Sequence, residues 1–169
     1  MLRRILVPLD GSECAEQALP LALEITRRLE ANLWLVRVSP LWDFVYGPVG
    51  SVAPYADEVG ELLRAEATEY LSQVRARLAR PGLTVTTAVL EGPVAGAISH
   101  YARAQQIDLI VIASRGHVGL GRWVHRNVAE RVQQGAPCPT LIVPGRPIQS
   151  ASAARRPPAA ANPQRLRRH

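Results

Sequence analysis

The sequence predicts a doubly wound α/β domain, which is a parallel sheet with helices on both faces. Short apolar segments alternate with longer segments of helical periodicity, and glycine or proline separates them. Apolar residues make up 47% of the 169-residue chain, enough to bury a sizeable core in one domain. Because strands that alternate with helices are joined by right-handed crossovers, this pattern favours a sheet that is buried on both sides.

Strands are predicted where short apolar or β-branched runs lie between turn residues. These runs are residues 5–9, 33–38, 84–90, 109–113 and 140–143. Asp10 closes the first run, and Pro139 precedes the last one. All of the runs have the length of buried strands and are too short for typical helices.

Helices are predicted where apolar positions recur every three to four residues. These segments are residues 13–29, 58–78, 91–104 and 122–133. Ser12 is placed to cap the first helix, and Pro20 is expected to kink it. Pro81-Gly82 ends the second helix.

Two segments depart from this alternation. Residues 39–57 form a long loop rich in proline, glycine and aromatic residues, either a lid over a site or a flap packed on the sheet edge. Residues 146–169 are rich in alanine, proline and arginine and cannot bury a core. We therefore expect a folded domain over residues 1–145, followed by a disordered tail.

The formal charge of +6 belongs to the tail and not to the predicted domain. Residues 1–145 contain 14 arginines and 14 acidic residues, whereas the tail contains six arginines and no acid. A basic groove for nucleic acid is therefore not supported, and weak attraction to polyanions is expected of the tail alone. The chain has no lysine, which excludes a P-loop lysine and a Schiff base.

The remaining composition excludes several further kinds of site. Cys14 and Cys138 are too few for a disulfide framework, and no cysteine or histidine has metal-ligand spacing. No apolar run approaches the ~20 residues of a membrane span, so a cytoplasmic protein is expected. No motif pairs a nucleophile with a base, so the sequence shows no catalytic constellation.

Topology selects two loops as the candidate site. In an open α/β sheet, ligands bind beyond the carboxyl ends of the strands, where the winding reverses. The loops after the first and fourth strands are residues 8–12 and 113–121. Their glycines allow close approach of a ligand, and a following helix favours an anion. Glycine turns are also common without a ligand, so the spacing alone leaves both interpretations open.

Several motifs carry a family resemblance. Residues 5–12 read ILVPLDGS, residues 110–116 read IVIASRG, residues 128–132 read VAERV and residues 136–143 read APCPTLIV. In this order and spacing they resemble the universal stress protein family over residues 2–145. The resemblance implies an adenine-nucleotide-hydrolase-like fold, in which five parallel strands take the order 3-2-1-4-5, and usually a homodimer.

The resemblance also implies where a nucleotide would lie. ATP-binding members hold adenine and ribose near the first two strands, and phosphates on a Gly-x2-Gly-x9-Gly-Ser/Thr motif after the fourth. Asp10 would face ribose or a phosphate-bound Mg²⁺, the one metal expected. Val38 and Ile112 would flank adenine, or else are plain core. The candidate binding residues are Pro8, Asp10, Val38, Ile112, Ala113, Gly116, Arg126, Asn127 and Val128.

The phosphate motif is altered in this sequence. Ala113 replaces the first glycine, Gly116 is retained, and Arg126-Asn127 replace the final pair. The Arg126 side chain would either fill the phosphate space or bend outward and clasp a phosphate, while Asn127 keeps a side-chain donor. We predict a stress-related regulatory protein that binds ATP weakly or not at all, with at most slow ATP hydrolysis. A functional ATP site that uses Arg126 and Asn127, and an enzyme on a related nucleotide-binding fold, remain alternatives.

The last strand predicts the assembly. In the order that the resemblance implies, residues 140–144 form an apolar sheet edge that only Pro139 and Pro144 limit. Two copies that pair about a two-fold axis would close this edge. We expect a homodimer through residues 140–144, and a protein partner that the sequence does not identify.

Overall fold

The computed structural model describes residues 1–39, 56–115 and 128–145. Within them, one parallel sheet has the strand order β3-β2-β1-β4-β5, which confirms the predicted fold class and order. The strands are β1 (Arg4–Pro8), β2 (Asn32–Val38), β3 (Val85–Leu90), β4 (Leu109–Arg115) and β5 (Thr140–Gly145).

The described helices lie on both sides of the sheet and connect successive strands. They are α1 (Glu13–Glu16), α2 (Leu19–Leu29), α3 (Ala56–Leu78), α4 (Val94–Ala104) and α5 (Val128–Gly135). Two predicted helices, α3 and α4, match within a few residues. The predicted start of the last helix, residues 122–127, lies outside the described residues.

The first predicted helix is two helices, so the expectation of one kinked helix is wrong. Helix α1 ends at Glu16 and α2 begins at Leu19, which places Pro20 in the first turn of α2. Proline is tolerated there because the first N–H groups of a helix have no partner within that helix. Pro20 therefore starts a helix and does not bend one.

The sheet separates two hydrophobic clusters because alternate residues of a strand point to opposite faces. Leu35 and Val111 are buried on the face covered by α1, α2 and α3, called here the α2–α3 face. Val36 and Ile110 are buried on the face covered by α4 and α5, called the α4–α5 face. Both faces of the central strands are therefore covered, which explains their nearly continuous apolar sequence.

Two of the sequence predictions fall outside this description. Most of the predicted 39–57 loop and all of the predicted tail lie outside the described residues, and both remain predictions. Among the helices of the described ranges, none is long and apolar enough to cross a membrane.

Candidate functional site

The carboxyl ends of β1 and β4 diverge where the winding of the sheet reverses. The ladder between these strands has two residue pairs, the second of which is Leu6 with Ile110. By contrast, β1 pairs with β2 as far as Pro8, and β4 pairs with β5 as far as Arg115. The divergence lies at the point where topology predicts the ligand crevice of an open α/β sheet.

The loop after β1 is held by its own side chains. Asp10 accepts hydrogen bonds from the backbone N–H of Ser12, at 2.8 Å, and from the Ser12 hydroxyl. Ser12 Oγ accepts from the N–H of Ala15 at 3.2 Å and so caps α1, as the sequence predicts. The Asp10 carboxylate is thereby oriented at an exposed position just beyond the carboxyl end of β1. A carboxylate there can accept a hydrogen bond from a sugar hydroxyl.

Gly11 lies against a charged side chain that the sequence reasoning missed. Its φ of +84° lies in the left-handed region, which glycine adopts without strain. A Cβ on Gly11 would lie 3.3 Å from Nη1 of Arg37, a β2 residue whose side chain is 12% exposed. The sequence did contain a signal for this role, because Arg37 is the one charged residue within the otherwise apolar predicted strand 33–38.

Arg37 is the centre of a polar cluster on the α2–α3 face. Its guanidinium pairs with Glu66 of α3 at 2.8 Å and lies over the Tyr70 ring, 5.0 Å from the centroid. The Tyr70 hydroxyl donates to Glu16 of α1 at 2.9 Å, and Arg77 pairs with the same carboxylate. Burial, with the bond to Glu16, raises the pKa of Tyr70, so the hydroxyl remains a neutral donor. This cluster joins β2, α1 and α3 beside the β1–α1 loop.

Three of the predicted binding residues meet on the α4–α5 face. Ile112 is buried in the cluster there, and Val38 and Val128 pack against the same cluster. Ser39, directly after Val38, is buried, and its hydroxyl makes no hydrogen bond within the part of the chain that the structure describes. The end of β2 therefore combines apolar side chains with a buried hydroxyl that has no partner among the described residues.

The other predicted residues are placed differently. Pro8 is buried at the end of β1. Ala113 packs against the cluster on the α2–α3 face, so its side chain lies across the sheet from the apolar surface just described. Gly116, Arg126 and Asn127 lie outside the described residues, and the phosphate half of the site remains a prediction.

The ends of β4, β5 and α1 meet closely at the same end of the sheet. A Cβ on Gly145 would lie 2.5 Å from the carbonyl oxygen of Ser114 and 2.6 Å from Sγ of Cys14. Such distances are well inside van der Waals contact, so the position accepts glycine alone without rearrangement. The Cys14 thiol is here a packing group between two strand ends.

The described side chains do not form a metal centre. Across residues 1–39, 56–115 and 128–145, no group of three or more His, Cys, Asp or Glu side chains could hold a metal ion. The described side chains at this end of the sheet provide hydrogen bonding, apolar contact and the charges of Asp10 and Arg37.

Comparisons with known sequences agree with this architecture. A sequence model of the Universal stress protein family (Usp) matches residues 1–144. A universal stress protein of Methanocaldococcus jannaschii is 33% identical over 144 residues, which cover 85% of this chain and 82% of that protein. One from Bacillus subtilis is 29% identical over 151 residues, covering 85% of this chain and 99% of that protein.

Solved structures give the same result. The universal stress protein UspA from Lactobacillus plantarum has a TM-score of 0.69 and 26% identity, covering 83% of this chain and 97% of that one. Two more distant proteins share the fold. A universal stress protein in complex with cAMP has a TM-score of 0.53 and 22% identity, covering 83% of this chain and 96% of that one. A family member from Arabidopsis thaliana with AMP bound has a TM-score of 0.55 and 12% identity, covering 89% of this chain and 97% of that one. The chain therefore belongs to the universal stress protein family, as its motifs predict.

Proposed function

We propose that this protein is a regulatory universal stress protein whose adenine-nucleotide site binds ATP weakly or not at all. The observation that carries the proposal is Arg126-Asn127, separated from Gly116 by nine residues, where the family motif has Gly-Ser or Gly-Thr. A side chain in place of a glycine takes the space through which a phosphate reaches the backbone. The site then has an intact base and ribose half and an altered phosphate half.

The geometry at the ends of β1 and β2 supports the intact half. Asp10 is oriented by Ser12 just beyond the carboxyl end of β1, and Val38 and Ile112 share one face of the sheet. Ser39 adds a buried hydroxyl without a partner among the described residues, and leaving such a group unsatisfied costs about 1–3 kcal/mol. The cAMP and AMP bound in two distant structures of this fold support the choice of an adenine nucleotide as the ligand.

A test follows from the contrast between the two halves. If contacts between the altered motif and the β- and γ-phosphates add no binding free energy, AMP and ATP should bind with similar, weak affinity in calorimetry. Purified protein should release far less than one nucleotide per chain when it is denatured and the supernatant is separated by chromatography. Stoichiometric ATP in that supernatant would contradict the proposal.

The second candidate is a working ATP site in which Arg126 and Asn127 are phosphate ligands. Guanidinium and amide donors both suit phosphate oxygens. This candidate predicts that ATP binds about tenfold or more tightly than AMP, because hydrogen bonds to charged groups contribute roughly 1.5–3 kcal/mol. The AMP-to-ATP ratio therefore distinguishes the two functions.

We also propose that two copies of the chain assemble through β5. This strand is at one edge of the sheet, and its Leu141 is 38% exposed. Within the described ranges, no strand lies outside β5, so its outer backbone groups can accept a second copy. Antiparallel pairing about a two-fold axis would close the edge.

Leu141→Lys should shift the protein from dimer to monomer in light-scattering chromatography at tens of micromolar concentration. The substitution brings two like charges close to the axis and removes apolar contact. Leu141 is a better position than Ile142, because Ile142 is half-buried and packs against the core. Leu62→Lys is the control, since Leu62 is 71% exposed on α3, away from β5. A wild type that elutes as a monomer would refute this interface.

A further inference from the structure

A groove lies between β3 and α4, at the sheet edge opposite β5. It has a volume of about 480 Å³, a size typical of ligand clefts. A Cβ on Gly96 would meet no atom within 4 Å, so the groove is open over the first turn of α4. None of the predicted nucleotide-site residues that the structure describes lines it. The lining residues are Val89, Leu90, Glu91, Gly96, Ala97, His100 and Tyr101.

The outer edge of β3 presents backbone groups beside this groove. The N–H of Ser39 donates to the carbonyl of Leu90 at 2.8 Å, which shows that Leu90 turns its backbone toward β2. Because the N–H and C=O groups of a strand alternate between its edges, those of Val85, Thr87 and Val89 face away from β2. In the part of the chain that the structure describes, β3 is the terminal strand, and these groups lie along its outer edge.

Strand β3 lacks the features that commonly protect a sheet edge. It contains neither proline nor a charged residue, and its side chains Val89 and Leu90 are partly buried, Val89 on the α2–α3 face and Leu90 on the α4–α5 face. The nearest charge, Glu91, is already paired with Arg64 of α3. Across the groove, burial raises the pKa of Tyr101, so its hydroxyl is a neutral donor; this hydroxyl has no protein partner among the described residues.

We propose that this edge binds an extended peptide, which adds as a strand beside β3 and lays alternate side chains into the groove against α4. The backbone groups of Thr87 and Val89 pair with the peptide backbone. The surface of Leu90 and Ala97 receives a small apolar side chain, and the Tyr101 hydroxyl can donate to a peptide carbonyl. An extended chain is the occupant that uses both features, because a small molecule or a helix would leave the strand edge unpaired. This site does not depend on nucleotide binding.

The first test is fluorescence anisotropy of the full chain with a labelled, end-capped hexapeptide of alternating valine and threonine. Saturable binding is expected, and the same peptide N-methylated at alternate residues should not bind. Thr87→Pro removes one outward N–H and leaves the inward bonds of β3 intact, so binding should weaken roughly fivefold, as the loss of one hydrogen bond predicts. Thr87→Ala keeps that N–H and should bind within about twofold of wild type.

Two further variants keep the test decisive if Thr87→Pro unfolds. Gly96→Leu fills the groove from the helix side and should abolish binding. Ala76→Leu adds the same side chain to an exposed position of α3 and should bind the peptide as wild type does. Failure of the hexapeptide to saturate, or equal binding of the N-methylated peptide, would overturn the proposal.

Hydrogen exchange supplies the structural readout. In the free chain, the amides of Thr87 and Val89 should exchange faster than those of Thr86 and Ala88, which face β2. Peptide should slow exchange at Thr87 and Val89. If these two amides are already protected in the free chain, then this chain or a second copy covers the edge, and the peptide site is refuted.

Discussion

Gly145→Ala is expected to lower the melting temperature by about 4–10 °C. The added methyl would lie 2.5 Å from the Ser114 carbonyl oxygen and 2.6 Å from Cys14 Sγ. The Ser114 carbonyl cannot move freely, because it belongs to the backbone of a strand that pairs with β5. Overpacking of this kind costs about 1–3 kcal/mol, which for a domain of this size corresponds to the stated shift. Differential scanning calorimetry measures it.

Gly96→Ala is the matched control, and its effect should have the opposite sign. The same methyl meets no atom within 4 Å at this helical position. Alanine in place of a helical glycine stabilises by about 0.4–1 kcal/mol, so the melting temperature should rise by roughly 1–4 °C. If both substitutions destabilise equally, the close contact at Gly145 is not the cause.

Arg126→Gly combined with Asn127→Ser is expected to strengthen ATP binding about tenfold or more. The double change restores the residues that the family's phosphate motif has at these positions, and it removes the Arg126 side chain that we propose takes the phosphate space. Each hydrogen bond to a charged oxygen contributes about 1.5–3 kcal/mol, and about 1.4 kcal/mol is a factor of ten in affinity. AMP binding should change less, since the base and ribose half is untouched. Calorimetry with both nucleotides gives the comparison.

Charge alone must be separated from this effect. The double variant loses one positive charge, which by itself weakens attraction to ATP. Arg131→Gln removes one charge from an exposed position on α5 and should therefore leave ATP affinity equal or slightly lower. Tight wild-type binding that the double variant abolishes would make Arg126 a phosphate ligand and reverse the proposal.

Sequence alone predicted the strands and most of the helices because the local pattern of apolar residues indicates which segments are buried. Strands such as Leu109–Arg115 are covered on both faces of the sheet, and they begin with a continuous apolar run. A helix of that length would not need an apolar residue at every position. The strand order came from the family resemblance, since the pattern of segments does not encode which strands are neighbours. The two candidate loops followed from topology, and the ends of β1 and β4 do diverge between them.

The details that sequence could not give depend on neighbours distant along the chain. Arg37 contacts Glu66 and Tyr70 and lies beside Gly11, so these neighbours exist only in the folded domain. Gly145 is restricted by Ser114 and Cys14, and nothing in the local sequence signals that contact. Pro20 was misassigned because a proline that kinks a helix and one that starts a helix have the same local pattern.

The short ladder between β1 and β4 has a mechanical consequence. The sheet consists of two panels, β3-β2-β1 and β4-β5, and two residue pairs form the seam between them. The ladders within each panel have five or six residue pairs, so we expect any relative displacement of the two panels to concentrate at the seam. A molecule that contacts Asp10 on one panel and the end of β4 on the other would span this seam. We therefore expect its binding to reduce relative motion of the two panels along Leu6 and Ile110.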